Sequence, residues 1–307
     1  MPNAGIPANK DVIAWARKRA GFSQEEAAQR FAKIVAWEAG TALPSYPQLE
    51  SMAEEFRIPV AVFFFPQPPN VPPIQETFRT LPDAEFAQLP RRIQQLLRKA
   101  KALQLGLYEL TQGRNPAERL ITREVKFTAR MSADTMAARV RNYLGISLER
   151  QTGWRDANEA LKEWRQALYR VGIFVFKDAF REEGFSGFSL YDDVFPIIYV
   201  NNSAAKTRQI FTLFHELGHL LFHTSGIDPL DDEYVERLPE RPQHIEVLCN
   251  RVAAQFLLPE NVFEAAFAGQ RATERTAEIL AERFHVSREF MFRKFLDRGL
   301  ISQDDYR

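Results

Sequence analysis

Along most of the chain apolar residues recur at three- and four-residue intervals, the spacing of helices with one buried face. Only Gly172–Lys177 (GIFVFK), Phe185–Leu190 (FSGFSL) and Ile197–Asn201 read as strands. Residues 11–66 divide into five short helices, with Trp15, Ala27, Phe31, Trp37, Leu49, Met52 and Phe56 as their apolar positions. Ser23 and Glu26 form an S-x-x-E pair, which marks the start of the second helix by reciprocal capping. Helices are predicted at Leu89–Leu110, Ser132–Leu144, Ala157–Tyr169, Phe211–His223, Pro242–Leu258 and within Glu274–Leu300. The class expected is therefore α+β, mainly helical, with a short β-sheet.

The pattern breaks at Pro66–Pro73, where PQPPNVPP holds five prolines and predicts a stiff polyproline linker. It separates a helical domain over residues 1–65 from the rest, with the linker drawn at 66–80. Residues 81–270 form the expected main domain and 271–307 a helical C-terminal tail.

Chemistry concentrates in Phe211–His223 (FTLFHELGHLLFH), where His215, Glu216 and His219 make an HExxH pattern. Residues four apart share a helix face at about 6 Å, so two imidazoles there can reach one metal while Glu216 lies beside it. Zinc suits neutral imidazole, and a catalytic site has three protein ligands with the fourth position left to water, so Glu216 would be the general base. A histidine pair on an apolar helix is otherwise simply core. This helix is apolar on almost every side, however, and a metal accounts for both histidines and the carboxylate at once. His223 is too distant for the third ligand, eight residues past His215 or about 12 Å along the axis. Glu246, early in PQHIEVLCNRVAAQFLL, is the better candidate, with Ala253 and Ala254 small enough to let the two helices meet. Read otherwise, it is an exposed glutamate in a first helical turn.

FPIIYVNN, the HExxH helix and the later Glu246, Asn250, Ala253, Leu257 and Pro259 together resemble the ImmA/IrrE family of intracellular zinc metallopeptidases. The resemblance implies a small gluzincin-type fold, zinc held by His215, His219 and Glu246, and regulation of transcription or a stress response by cleavage of a cognate repressor. An oxyanion donor is also needed. Tyr191, Tyr199, His223, His244 and Arg251 all qualify. FSGFSL is the expected edge strand to which an extended peptide adds, Gly187 permitting close approach.

SQEEAAQRF, AWEAGTALPS and LESMAEEF resemble the XRE type of repressor helix-turn-helix domain. Phe31 to Trp37 spans six residues, roughly four fewer than such domains place where the turn and recognition helix belong. Lys33 is the candidate DNA contact, and the alternative is a docking or dimerisation surface. LAERFHVSREFMFRKFLDRGLIS resembles a second helix-turn-helix, with His285 at the turn and Arg288, Arg293 and Lys294 as phosphate contacts. Its alternative is a structural cap on the peptidase.

Forty basic and forty acidic side chains cancel, so any nucleic-acid surface must be local. Residues 1–70 carry seven of each sign, whereas 86–130 carry ten basic against three acidic. Asp228–Glu246, with seven acidic and two basic residues, is an alternative, internal partner for that basic face, and Asp228–Pro242 is the loop expected over the cleft. A single cysteine, Cys249, excludes an intrachain disulfide. No signal segment or bilayer-length apolar run is evident, so a cytoplasmic protein is expected. The competing function is a DNA-binding regulator or antitoxin-like protein whose peptidase fold senses without turnover. Retention of Glu216 argues against it, since a structural zinc site needs no base.

Overall fold

The computed structural model describes residues 5–69, 89–229 and 240–306. They group into two compact units, one of residues up to 69 with Leu89–Gln95, the other from Leu96 onward.

The first unit contains α1 (Lys10–Arg19), α2 (Gln24–Arg30), α3 (Ile34–Ala39) and α4 (Tyr46–Phe56). The fifth predicted helix is a 3-10 turn, Val60–Phe64. Asn9 caps α1, and Ser23 and Glu26 close the expected capping box on α2. The core joins Val12, Ala16, Ala27, Ile34, Trp37, Leu49, Met52 and Phe63. Arg17 reaches Glu38 through two nitrogens, at 2.6 and 3.1 Å, and donates to the Phe22 carbonyl, so this nearly buried charge is paired. The short spacing after Phe31 leaves α3 only six residues long. Lys33 lies exposed at its N-cap.

Helix α5 (Arg91–Leu110) starts in the first unit and continues in the second. Ile93, Leu96, Leu97 and Ala100 are buried, and burial falls off toward the end of the helix, Leu110 being 85% exposed. Gln104 is buried instead and donates to the Phe195 carbonyl at 2.8 Å. The basic excess is partly answered within the fold. Arg91 pairs with Glu26, and Lys99 with Asp178 at 2.7 Å.

The second unit continues through α6 (Ile121–Glu124), α7 (Ala133–Leu144), α8 (Leu148–Thr152) and α9 (Ala157–Arg170) to β1 (Phe174–Asp178), β2 (Phe185–Leu190) and β3 (Ile197–Asn201). After α10 (Lys206–Leu221) come β4 (Ile227–Pro229), α11 (Glu240–Leu257), α12 (Glu260–Phe267), α13 (Glu274–Phe284), α14 (Arg288–Asp297) and α15 (Gln303–Tyr306). The sheet order is β1-β3-β2-β4, with β1 parallel to β3 and β2 antiparallel to both its neighbours. This corrects the expected edge. Phe185–Leu190 is an inner strand, because Phe188 pairs with Tyr199 on one side and Ile227 on the other. The edges are β1 and the three-residue β4.

One apolar core runs through this unit, and α10 lies within it. Trp164 of α9 packs edge-on against Phe214 of α10, which stacks on Phe256 of α11 at 3.9 Å between ring centroids. Ala277, Leu280, Phe284, Met291 and Phe295 belong to the same core, so the C-terminal helices are part of this body. Gln151, fully buried, ties them in by donating to the Leu257 and Phe284 carbonyls. His285 ends α13 in the left-handed conformation and Ser287 caps α14. Lys294 corrects an expectation: only 8% exposed, it is bonded to Glu260 at 2.8 Å beside the Phe263 ring and has no ammonium to offer phosphate. Arg293 is exposed but paired with Asp297, whereas Arg288 is exposed at the start of α14. Most of the acidic Asp228–Glu246 stretch and of the proline linker lies outside the described residues.

Candidate metal centre

The site is built where two buried helices cross. Gln209 to Leu221 is buried on nearly every side of α10, because the sheet covers one face while α9 and α11 cover others. The close crossing depends on Gly218, where a Cβ would lie 2.9 Å from Cys249 Sγ on α11. That approach brings Glu246, one turn before Cys249, to the two imidazoles. On the opposite side a Cβ at Gly187 would lie 2.5 Å from Thr212 Cγ2, so this glycine admits β2 against α10.

His215, His219 and Glu246 are 1%, 3% and 8% exposed. The Nε2 atoms of the two histidines are 3.1 Å apart. Glu246 Oε2 lies 3.3 Å from His215 Nε2, and Oε1 lies 3.1 Å from His219 Nε2. Among the described residues this is the group of His, Cys, Asp or Glu side chains placed to hold a metal. The spacing fits zinc, because two donors at 2.0–2.1 Å from one ion in tetrahedral geometry stand about 3.3 Å apart. The donor set fits as well, two imidazoles and a carboxylate being three ligands of an open site.

Asn250 supports the arrangement from outside. Its Oδ1 accepts from His215 Nδ1 at 2.9 Å, which turns the lone pair of His215 Nε2 toward Glu246. Asn250 belongs to the quoted motif, but sequence reasoning assigned it no contact. Its signal was the four-residue spacing from Glu246, which puts both on one face of α11.

Burial alone would depress the pKa of His219, yet Cys249 and Glu246 beside the ring raise it well above the ordinary imidazole value. Burial alone would raise Glu246, and His219 and His215 instead hold it far below the usual carboxylate range. Both shifts have one cause, the close approach of the His219 and His215 rings to the Glu246 carboxylate. Glu216 follows His215 on α10 and is fully buried, its Cγ 3.9 Å from the Cβ position of Gly187.

The oxyanion candidates are less favourably placed. Tyr191 donates its hydroxyl to Asp193 at 2.7 Å, and Tyr199 points its own toward Asp178. His223, past the end of α10 with φ of 57°, bonds the Thr122 carbonyl and stacks on Tyr191. His244 and Arg251 are exposed on α11. None of the five is directed at the histidine pair by a contact.

Residues 169–295, which carry this site, match the IrrE N-terminal-like domain of the Peptidase M78 family. Over that segment the chain is similar to the ImmA/IrrE family. The radiation response metalloprotease IrrE of Deinococcus radiodurans is 39% identical over 100 residues, 32% of this chain and 30% of that protein. IrrE of Deinococcus deserti is 37% identical over 100 residues, 32% of this chain and 34% of its own length. The chain thus spans about a third of the length of the curated relatives it matches. A solved Mycobacterium tuberculosis transcriptional regulator aligns over 53% of this chain and 46% of that one, with 19% identity and a TM-score of 0.34, too slight a likeness to bear on fold or function. Among the described residues no helix is long and apolar enough to cross a membrane.

Proposed function

We propose that the chain is a cytoplasmic zinc metalloendopeptidase of small gluzincin type that regulates transcription or a stress response by cleaving a DNA-binding repressor. The observation that carries this reading is the convergence of buried His215, His219 and Glu246, with the buried Glu216 next to His215 in the chain. His215 and His219 would hold the ion through Nε2 and Glu246 through its carboxylate, while Asn250 would hold the His215 tautomer. Zinc, when bound there, would supply Lewis acidity that lowers the pKa of water to about 7 and polarises a scissile carbonyl. Glu216 takes the water proton on its carboxylate and passes it to the departing amine. A peptide adding to the sheet would do so at an edge, and β4 is the edge joined to the segment that packs over His219.

The relatives' name as radiation response metalloproteases supports a stress-linked protease. The first unit, with its short α3 and balanced charge, is read as a recruitment module that pairs with a related helix-turn-helix domain on the target. The test is metal analysis of the purified chain followed by mass spectrometry of candidate repressors incubated with it. A stoichiometric zinc content and one discrete cut are expected. A zinc-loaded chain that cuts no repressor, while retaining cleavage of unrelated proteins, would refute the regulatory reading.

A further inference from the structure

We infer that Gly226 is a positioning residue for the metal centre: it leaves open the space occupied by the His219 imidazole, and a side chain there would drive the ring away from His215 and Glu246. This rests on the reading of His219 as a metal ligand. A Cβ at Gly226 would lie 2.6 Å from both Cγ and Cδ2 of His219 and 2.9 Å from Nδ1. Backbone conformation does not explain the glycine, since Gly226 is not among the residues with positive φ. Space beside the ring is what requires it.

Neither side can readily give way. The Gly226 carbonyl accepts from Ser189 N at 2.9 Å and its N–H donates to Ser189 Oγ at 3.3 Å. Ser225 Oγ accepts from Tyr191 N at 3.0 Å, and Ile227 pairs with Phe188, so the segment is fastened to β2 on both sides of the glycine. The His219 backbone is held too, its carbonyl accepting from both N and Oγ1 of Thr224, and the ring beyond it is buried with Nε2 3.1 Å from His215 Nε2 and from Glu246 Oε1. Relaxing a 2.6 Å contact to the 3.4 Å of ordinary van der Waals approach requires a retreat of 0.8 Å. Metal sites tolerate donor displacements of only about 0.2 Å.

The test measures zinc affinity of the full chain by chelator competition and the visible absorption of its cobalt(II)-substituted form. Gly226→Ala should weaken zinc binding at least about tenfold and alter the cobalt spectrum, with the metal-free chain still folded by circular dichroism. Unchanged affinity and spectrum would overturn the inference. Should Gly226→Ala not fold, Ser189→Ala decides: it removes one fastening of the segment without a clash, weaker zinc binding is expected, and unaltered affinity overturns the proposal. The unaltered chain must bind zinc and His219→Ala must lose it. Failure of that pair removes the metal reading and this inference with it, whereas its success beside an unaffected Gly226→Ala removes only the role given to Gly226.

Discussion

Asn250→Ala tests the proposed metal centre without touching a proposed ligand. The His215 ring is 1% exposed, and its Nδ1 faces Asn250 Oδ1 at 2.9 Å. Removing that acceptor leaves a buried N–H without this bond, at a cost of about 1–3 kcal/mol. The ring escapes the cost by rotating or by moving its proton to Nε2, and either change takes the lone pair away from the metal position. The loss therefore falls on metal binding. Losses of 10–100-fold are typical for such outer contacts, equivalent to about 1.4–2.7 kcal/mol, which matches the hydrogen-bond cost. Competition against a chromophoric chelator at fixed pH measures it directly. Asn250→Asp, which keeps an acceptor in place, should retain the affinity. If Asn250→Ala bound zinc as tightly as the unaltered chain, His215 would be oriented by something else and this account of the centre would be wrong.

Glu246→Ala should lose most of the zinc, as metal analysis of the purified variant would show, because two imidazoles leave the shell incomplete. Glu216→Gln should keep zinc yet lose peptide cleavage, since an amide accepts no proton at neutral pH; undiminished turnover would remove Glu216 from the mechanism. Zinc uptake should release a proton, read by calorimetry in buffers of different ionisation enthalpy, and affinity should fall about tenfold per pH unit below the raised pKa of His219. In the metal-free chain the His219 contribution to stability is present at low pH and lost as pH rises through that raised value, while that of Glu246 is lost as pH falls through its depressed one. Residues 1–95 alone should bind duplex DNA weakly, because α3 has six residues and the region's charge is balanced; specific binding at physiological salt in a gel-shift assay would contradict this.

Helix positions, the Ser23 cap, the buried state of the HExxH helix and the three long strands were legible in the sequence because they rest on local periodicity and capping chemistry. That His215 and His219 share a face was legible for the same reason, since a four-residue spacing places side chains on one side of any helix. Glu246 could be nominated, but its distance to the imidazoles was set by how closely α11 crosses α10, which Gly218 and Cys249 decide from residues thirty-one apart in the chain. The edge of the sheet was likewise a tertiary matter. A three-residue strand has no period to read, so β4 became visible only where it pairs with Phe185–Phe188 and turns the predicted edge into an inner strand. Lys294 looked free for phosphate on its helix and is buried by Glu260, thirty-four positions earlier. Spacing along the chain determines which side chains share an element; which elements touch, and what remains exposed once they do, is decided by packing between residues that are distant in sequence.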